Sequence, residues 1–265
     1  MIIKKTVKLV AKWIDNLIFE NTLAKFYRRR KESFLRKHRS DLYEYGFITE
    51  YIKNNSELNA LCDLHGSDKG EVTSENHPYL WESHNYADAY ELMFRLRKND
   101  VQLLIECGIG SNNPNLISNM GIDGKPGASL RVWRDFFPNA KIIGIDIDPE
   151  ALFEEERIKT YQCDQTNPES IQKFCNNASI QHSSVDIFID DGLHEYHAGI
   201  CLFESMNKYL AENGVYIIED VVEKDYKLYK DYFSEIRDQF SIHIINLHRP
   251  NLPVRDNRLF VIRRV

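Results

Sequence analysis

From residue 101 onward, short apolar runs alternate with stretches of helical periodicity, and this alternation constrains the fold more than any other feature. Apolar runs rich in Val, Ile and Phe and bounded by turn residues are typical of buried strands. The predicted strands are Val101–Glu106, Lys141–Asp146, Tyr161–Asp164, Val185–Asp190, Gly214–Glu219, Ile242–Leu247 and Leu259–Arg263. The predicted helices are Ala87–Leu96, Arg131–Phe137, Pro168–Asn176, Tyr196–Leu210 and Lys227–Gln239. This order predicts an α/β fold: a doubly wound, mostly parallel seven-stranded sheet with helices on both faces.

The last two predicted strands are joined by a loop that contains Arg249-Pro-Asn251. The loop is too short for a helical crossover, so these strands should pair antiparallel. His248, Arg249 and Arg255 lie in or beside the loop, where they either hold a phosphate or are simply exposed basic residues.

The composition limits which class of protein this chain can belong to. The chain has 265 residues, of which 43% are hydrophobic, enough for a packed core. No apolar run approaches the ~20 residues of a membrane span, and we find no signal-peptide pattern near residue 1. Five cysteines without CxxC spacing indicate a reduced protein and no zinc held by thiolates. We therefore expect a cytoplasmic location.

Charge is distributed unevenly along the chain. The first 39 residues contain twelve Lys or Arg and three Asp or Glu, a net +9, whereas the whole chain carries −6, which leaves −15 for the rest. Apolar residues from Val7 to Ile18 recur at helical spacing, so we predict a basic helical N-terminal extension over residues 1–60, followed by the α/β domain over 61–265. The basic helices either contact a membrane surface, at the inner face, or pack on the same chain or a sister subunit of a homo-oligomer. We expect no nucleic-acid partner, because the remainder is acidic and carries no nucleic-acid-binding motif.

Acidic residues follow two neighbouring predicted strands. Asp190 and Asp191 end one strand, with His194 three residues later, and Glu219 and Asp220 end the next. Because ligands bind outside the carboxyl ends of parallel strands, we expect these side chains to meet at one site. Adjacent buried carboxylates also need a cation or a hydrogen-bonded ligand. The alternatives are that Asp191 only caps the next helix and that His194 is only packed at its start.

A second group of residues suits a cofactor. Glu106-Cys-Gly-Ile-Gly110 follows the first strand of the alternation, and its two glycines allow a ligand to approach the backbone closely. Asp146 ends the second strand and suits a ribose diol, whereas Asp164, beside Gln165, suits an exocyclic amine. A dinucleotide would favour a third glycine, but Ser111-Asn-Asn-Pro114 stands there. Acids near the ligand suit the positive charges of S-adenosylmethionine better.

Together these residues resemble the class I S-adenosylmethionine-dependent methyltransferases, with their Rossmann-like fold. More narrowly they are similar to the metal-dependent sugar O-methyltransferases of the macrocin and mycinamicin types. The helix start Gly127-Ala-Ser-Leu-Arg-Val-Trp133 and the loop His65-Gly-Ser-Asp-Lys-Gly70 add to the resemblance. It covers residues 61 to 265 and leaves out the basic N-terminal part.

The resemblance implies a role for each matching residue. A magnesium site would be made by Asp191, Glu219 and Asp220, with hard oxygen ligands. Asp191 and His194 would be the catalytic residues, with His194 as the base. The cofactor would be bound by Glu106, Gly108, Gly110, Asp146, Asp164, Gln165 and Asp190, together with His65 and Ser67 of the polar loop.

The mechanism that follows is methyl transfer to a sugar hydroxyl. Magnesium would chelate two neighbouring hydroxyls, lowering the pKa of one, and His194 would take its proton. The acceptor would be a nucleotide-linked sugar, a surface-glycan precursor or a glycosylated natural product. The alternatives are a methyltransferase for a catechol-like diol, an NAD-dependent oxidoreductase and a non-catalytic module that binds the cofactor and docks partners.

Overall fold

The computed structural model describes residues 56–71, 79, 81–248 and 256–265. All of them belong to a compact unit that spans residues 53–265. The predicted basic helices of the first 39 residues lie outside these ranges, as do Arg249 and Arg255. The division at residue 60 therefore stays a prediction.

The described residues contain six α-helices. They are α1 (Glu57–His65), α2 (Tyr86–Phe94), α3 (Ala128–Phe136), α4 (Pro168–Asn177), α5 (Tyr196–Met206) and α6 (Glu223–Glu235). Ser56 caps α1 by accepting a 3.1 Å hydrogen bond from the backbone N–H of Asn59, and Asn167 caps α4 in the same way, with Pro168 in the first turn. Within these ranges no helix is long and apolar enough to cross a membrane.

A single mixed sheet forms the centre of the described structure. Its strands are β1 (Leu103–Cys107), β2 (Lys141–Asp146), β3 (Glu154–Glu155), β4 (Ile158–Gln162), β5 (Val185–Asp190), β6 (Leu210–Ile218), β7 (Phe240–Asn246) and β8 (Arg258–Arg264). Their order is β3-β4-β2-β1-β5-β6-β8-β7, and the five strands from β4 to β6 are parallel. β8 runs antiparallel to both β6 and β7, as predicted for the last two strands. The predicted fold class is confirmed.

The sheet differs from the prediction at its first edge. A two-residue strand, β3, pairs antiparallel with β4 and brings the described total to eight strands. β4 begins at Ile158, three residues before the predicted start at Tyr161. Lys159 and Thr160 interrupt the apolar pattern because this strand lies near the sheet edge, where every second side chain can reach water.

Alternate residues of the central strands enter two separate cores. Leu104, Ile142 and Ile187 pack on one face, in a cluster that includes residues of α1, α2 and α3. Ile105 and Phe188 pack on the other, with residues of α4, α5 and α6. Because side chains alternate across a strand, parallel strands covered on both faces become nearly continuous apolar runs. This arrangement leaves the carboxyl ends of the strands as the place for polar side chains.

Candidate active site

A cavity of about 840 Å³ opens at the carboxyl ends of the parallel strands. Its wall includes Gly108 after β1, Asp146 at the end of β2, and Gln165 after β4. Asp191 and His194 after β5 complete the same wall. The two groups of residues predicted from the sequence, one for a cofactor and one for a cation, therefore share one cavity.

The turn after β1 depends on glycine. Gly108 and Gly110 both have left-handed backbone conformations, with φ of 83° and 84°. A Cβ atom on Gly108 would lie 2.0 Å from the carbonyl oxygen of Asp191. The backbone N–H of Asp191 donates in turn to the carbonyl of Cys107 at 2.9 Å. Only glycine lets the loops after β1 and β5 approach this closely.

Asp146 fixes the same turn from β2. One carboxylate oxygen accepts a 3.0 Å hydrogen bond from the backbone N–H of Ile109, and the other accepts a 2.9 Å bond from Asp148. Burial raises the pKa of Asp146 above its usual value. Each oxygen has a further lone pair, so this carboxylate can accept hydroxyl hydrogen bonds from a ligand in the cavity.

Gln165 joins the ends of β4 and β5. Its amide oxygen accepts a 2.7 Å hydrogen bond from the backbone N–H of Leu193, and its amide nitrogen donates to Asp190 Oδ1 at 3.1 Å. Asp190 is 4% exposed and is not among the residues that line the cavity. Burial raises the pKa of Asp190 to about 6. Asp164 lines the cavity, and its Oδ1 accepts hydrogen bonds from the backbone and hydroxyl of Thr166.

Asp191, His194 and Asp220 form the cation-binding candidate. Each can offer one ligand atom within 4.8 Å of the others. His194 Nε2 lies 3.3 Å from Asp191 Oδ1 and 3.6 Å from Asp220 Oδ2. Nε2 is buried, and no group among the described residues forms a hydrogen bond with it. Two carboxylates and an unsatisfied imidazole nitrogen that converge in this way fit a divalent cation.

His194 is held as a cation by its neighbours. Burial disfavours the charged imidazolium, yet the carboxylates of Asp220 and Asp191 raise the pKa of His194 to about 10. His194 and Asp220 also have left-handed backbone conformations, with φ of 57° and 54°. Non-glycine residues adopt this conformation rarely, and at functional sites such strain is often retained.

Lys69 pairs with Asp191 and with two further acids. This lysine is 3% exposed, and its ammonium group donates to Asp191 Oδ2 at 2.6 Å and to Glu219 Oε2, and lies 3.2 Å from Glu106 Oε1. The hydroxyl of Tyr90 donates to the other oxygen of Glu219. Both oxygens of Glu219 thus accept a hydrogen bond from this chain, and Glu219 is not among the three residues whose ligand atoms converge.

A second group of polar side chains surrounds Asp220. The hydroxyl of Tyr86 donates to Asp220 Oδ1 at 2.5 Å, and His84 Nε2 lies 3.4 Å from the same oxygen. His84, Asp220 and Asp256 also converge within 4.8 Å. These contacts orient Asp220 so that its second oxygen faces His194.

The remaining predicted cofactor residues have different environments. Ser67 lines the cavity, whereas His65 is not among the lining residues and lies against α3, with Nε2 2.7 Å from Asp135 Oδ2. Glu106 is fully buried beneath the glycine turn and accepts a 2.8 Å hydrogen bond from Trp133 Nε1. Glu106 and His65 therefore support the loops around the cavity without facing it.

Sequence reasoning missed the residues that hold the acids in place. Lys69 lies in a loop that the sequence singled out, but nothing in the sequence indicated that this lysine is buried. Tyr86 and Tyr90 lie on the buried face of α2 and have the pattern of core residues. Their hydroxyl groups reach Asp220 and Glu219, 134 and 129 residues away along the chain.

Comparisons with known proteins agree with the geometry. No protein-family model matches the chain. It is 30% identical over 164 residues to demethylmacrocin O-methyltransferase of Streptomyces fradiae, a match that covers 61% of this chain and 38% of that protein. It is 28% identical over 199 residues to the 8-demethyl-8-(2-methoxy-alpha-L-rhamnosyl)-tetracenomycin-C 3'-O-methyltransferase of Streptomyces olivaceus, covering 74% of this chain and 47% of that protein. The matched region thus spans less than half the length of each of these curated relatives.

A solved structure agrees at the level of the fold. The methyltransferase MycE of the mycinamycin biosynthetic pathway, in complex with Mg and SAH, matches with a TM-score of 0.58 and 20% identity, over 80% of this chain and 55% of that one. This chain therefore has the fold of class I S-adenosylmethionine-dependent methyltransferases. The resemblance to the macrocin and mycinamicin types of sugar O-methyltransferase, which the sequence indicated, is confirmed.

Proposed function

We propose that this chain is an S-adenosylmethionine-dependent O-methyltransferase that methylates a sugar hydroxyl with the help of Mg²⁺. The observation that carries the proposal is the shared cavity. The glycine turn and Asp146 lie on the same wall as Asp191, His194 and Asp220. A methyl donor on one side and a cation-bound diol on the other would then meet in one cavity, which is what group transfer requires. The curated relatives are named as O-methyltransferases of demethylmacrocin, mycinamicin VI and a rhamnosyl tetracenomycin, which supports the proposal.

The cofactor side uses the residues after β1, β2 and β4. Gly108 and Gly110 let the backbone approach the ligand, and Asp146 accepts the ribose hydroxyl groups. Asp164 and Gln165 line the region that suits the adenine, and Ser67 closes the cavity from the loop after α1. Glu106, Asp190 and His65 act through the loops that they support.

The cation side uses Asp191 and Asp220 as oxygen ligands. When bound, Mg²⁺ would supply the positive charge that lowers the pKa of a sugar hydroxyl. Glu219, the third predicted ligand, contacts Lys69 and lies outside this convergent group. His194 Nε2 faces the same space and would accept the hydroxyl proton. A bound cation would offset the two carboxylates that otherwise keep the imidazole charged.

The acceptor is a sugar with two neighbouring hydroxyl groups. The molecule that carries this sugar is a nucleotide-linked sugar, a surface-glycan precursor or a glycosylated natural product. The identity of that molecule decides whether the chain belongs to polysaccharide biosynthesis.

We also propose a cytoplasmic homo-oligomer, in which the basic segment before residue 40 contacts a sister subunit or the inner membrane face. Light scattering of the full chain, and flotation with anionic vesicles, test these two alternatives.

The first experiment is calorimetric titration with S-adenosylmethionine and, separately, with NAD, each with Mg²⁺ present. We expect binding of S-adenosylmethionine alone. Methyl transfer from labelled S-adenosylmethionine is then measured on glycosides, nucleotide sugars and a catechol, with Mg²⁺ and with a chelator. Magnesium-dependent labelling of a sugar supports the proposal. Labelling of the catechol alone would instead support a methyltransferase for a catechol-like diol. Binding of NAD alone would overturn it, whereas binding of S-adenosylmethionine without turnover on any acceptor would favour a docking module.

A further inference from the structure

The cavity at the carboxyl ends of the strands is lined by many acids and by one lysine. Among the described residues on its wall, Lys69 is the only Lys or Arg. The acidic residues on that wall are Asp68, Glu82, Asp146, Asp164, Asp191, Asp220 and Asp256. A buried ammonium group amid carboxylates is costly to place there unless it is fully paired.

Lys69 is fully paired, and its partners come from three different strand ends. Glu106 is the last residue but one of β1, Asp191 follows β5 and Glu219 follows β6. All three carboxylates lie within ion-pair distance of Nζ. The side chains of Lys69, Glu106 and Glu219 are 4%, 0% and 1% exposed, so water screens these charges little. One cation from a loop thus holds together three parallel strands at the edge of the candidate site.

Asp191 is shared between Lys69 and the cation-binding candidate. Its Oδ2 accepts from Lys69, and its Oδ1 faces His194 Nε2. A divalent cation bound between Asp191 and Asp220 would lie a few ångströms from the ammonium group and would be repelled by it. The two cations also compete for the same negative charge on Asp191.

We propose that Lys69 is a positioning residue that acts as an internal counter-cation and sets the divalent-cation affinity of this site. It aims Asp191 Oδ1 at the cation position and weakens cation binding by its charge. Ser67 and Asp68 of the same loop line the cavity, so a shift of Lys69 on cation binding would reach the cofactor region. The inference rests on the proposed cation site but not on the nature of the acceptor.

The test measures Mn²⁺ binding by electron paramagnetic resonance in the full chain without acceptor or cofactor. We expect Lys69→Met to bind Mn²⁺ at least about tenfold more tightly than the wild type, because it removes a nearby positive charge. Lys69→Arg keeps the charge and should stay within about threefold of the wild type. Lys98→Met, which removes a surface lysine paired with Glu57, is the matched control and should bind as the wild type does.

A second substitution keeps the test decisive if Lys69→Met does not fold. Lys69→Gln retains hydrogen-bond donors for the carboxylates but no charge, and it should also bind Mn²⁺ more tightly. A Gln variant that folds and binds Mn²⁺ equally or more weakly overturns the inference. The inference is also overturned if Lys69→Met and Lys69→Gln both unfold while Lys69→Arg folds, because Lys69 would then have a structural role only. A wild type that binds no Mn²⁺ at all would instead count against the proposed function.

Discussion

Gln165 and Leu193 are joined by a 2.7 Å hydrogen bond from the backbone N–H of Leu193 to the amide oxygen of Gln165. A Cβ atom on Gly192 would lie 1.9 Å from that oxygen, so the two loops are in direct contact. The loop after β4, on the cofactor side, therefore holds the loop that presents Asp191 and His194. One side chain thus connects the two halves of the proposed site.

Loss of the Gln165 side chain should loosen both halves of the site. In Gln165→Ala, the half-buried N–H of Leu193 and the buried carboxylate of Asp190 each lose a partner, which costs about 1–3 kcal/mol of folding free energy. We expect weaker binding of S-adenosylmethionine by about tenfold and a lower melting temperature, by calorimetric titration and thermal denaturation. Gln181→Ala, at an exposed position whose amide bonds only to a nearby carbonyl, is the control and should change neither. Equal behaviour of the two variants would contradict this role.

Gly108 offers a comparison within the chain. Gly108→Ala places a Cβ atom 2.0 Å from the carbonyl oxygen of Asp191 at a φ of 83°, whereas Gly121→Ala has a similar φ of 75° and meets no atom within 4 Å. Backbone strain of about 1–2 kcal/mol is common to both. We therefore expect only Gly108→Ala to weaken binding of S-adenosylmethionine by about a hundredfold or more, as measured by titration calorimetry. If both variants bind S-adenosylmethionine equally well, the close approach of the two loops is not the reason why residue 108 must be glycine.

The carboxyl-end acids could be predicted from the sequence because each is fixed by its own strand. A buried strand followed by Asp or Glu brings that acid to one edge of the sheet whatever the rest of the chain does. What the pattern does not give is the direction of each side chain. Asp190 and Asp191 are neighbours, yet Asp190 turns towards Gln165 and Asp191 towards Lys69 and His194, because successive residues point to opposite sides.

The residues that pair with these acids could not be predicted, since they are distant in sequence. Lys69 meets Glu219 across 150 residues, and no periodicity links a loop lysine to a strand end. His65 shows the converse limit, because its motif indicated a functional loop but not that its ring would face Asp135. Local patterns locate elements, whereas tertiary packing decides which polar groups meet.

Binding of S-adenosylmethionine should depend on the protonation of Asp146. Burial raises the pKa of this carboxyl, and only the carboxylate can accept two hydroxyl hydrogen bonds from a ribose. Affinity should therefore rise as the pH increases through this pKa, level off above it, and fall as Asp146 is protonated in acid. Dissociation constants measured from about pH 4.5 to 8 check this expectation. Asp146→Asn should bind weakly with a flatter profile, and a wild-type profile that matches that of the variant would exclude Asp146 as the titrating group.

Substitutions of His194 and of Asp191 should have different effects, because we propose that His194 is the base and that Asp191 is a cation ligand. Nε2 of His194 faces both carboxylates, a geometry that suits either a proton acceptor or a metal ligand. If it is the base, His194→Ala should lower kcat by about 10²–10⁴-fold and change Mn²⁺ affinity by less than about threefold. Asp191→Asn should lower both kcat and Mn²⁺ affinity, since it removes a charged ligand.

His243→Ala, at an exposed position on β7, is the matched control for His194→Ala. Turnover with saturating acceptor and Mn²⁺ binding by electron paramagnetic resonance are measured on the same preparations. Loss of Mn²⁺ binding in His194→Ala equal to that in Asp191→Asn would make His194 a ligand, and the proton acceptor would then have to be another group.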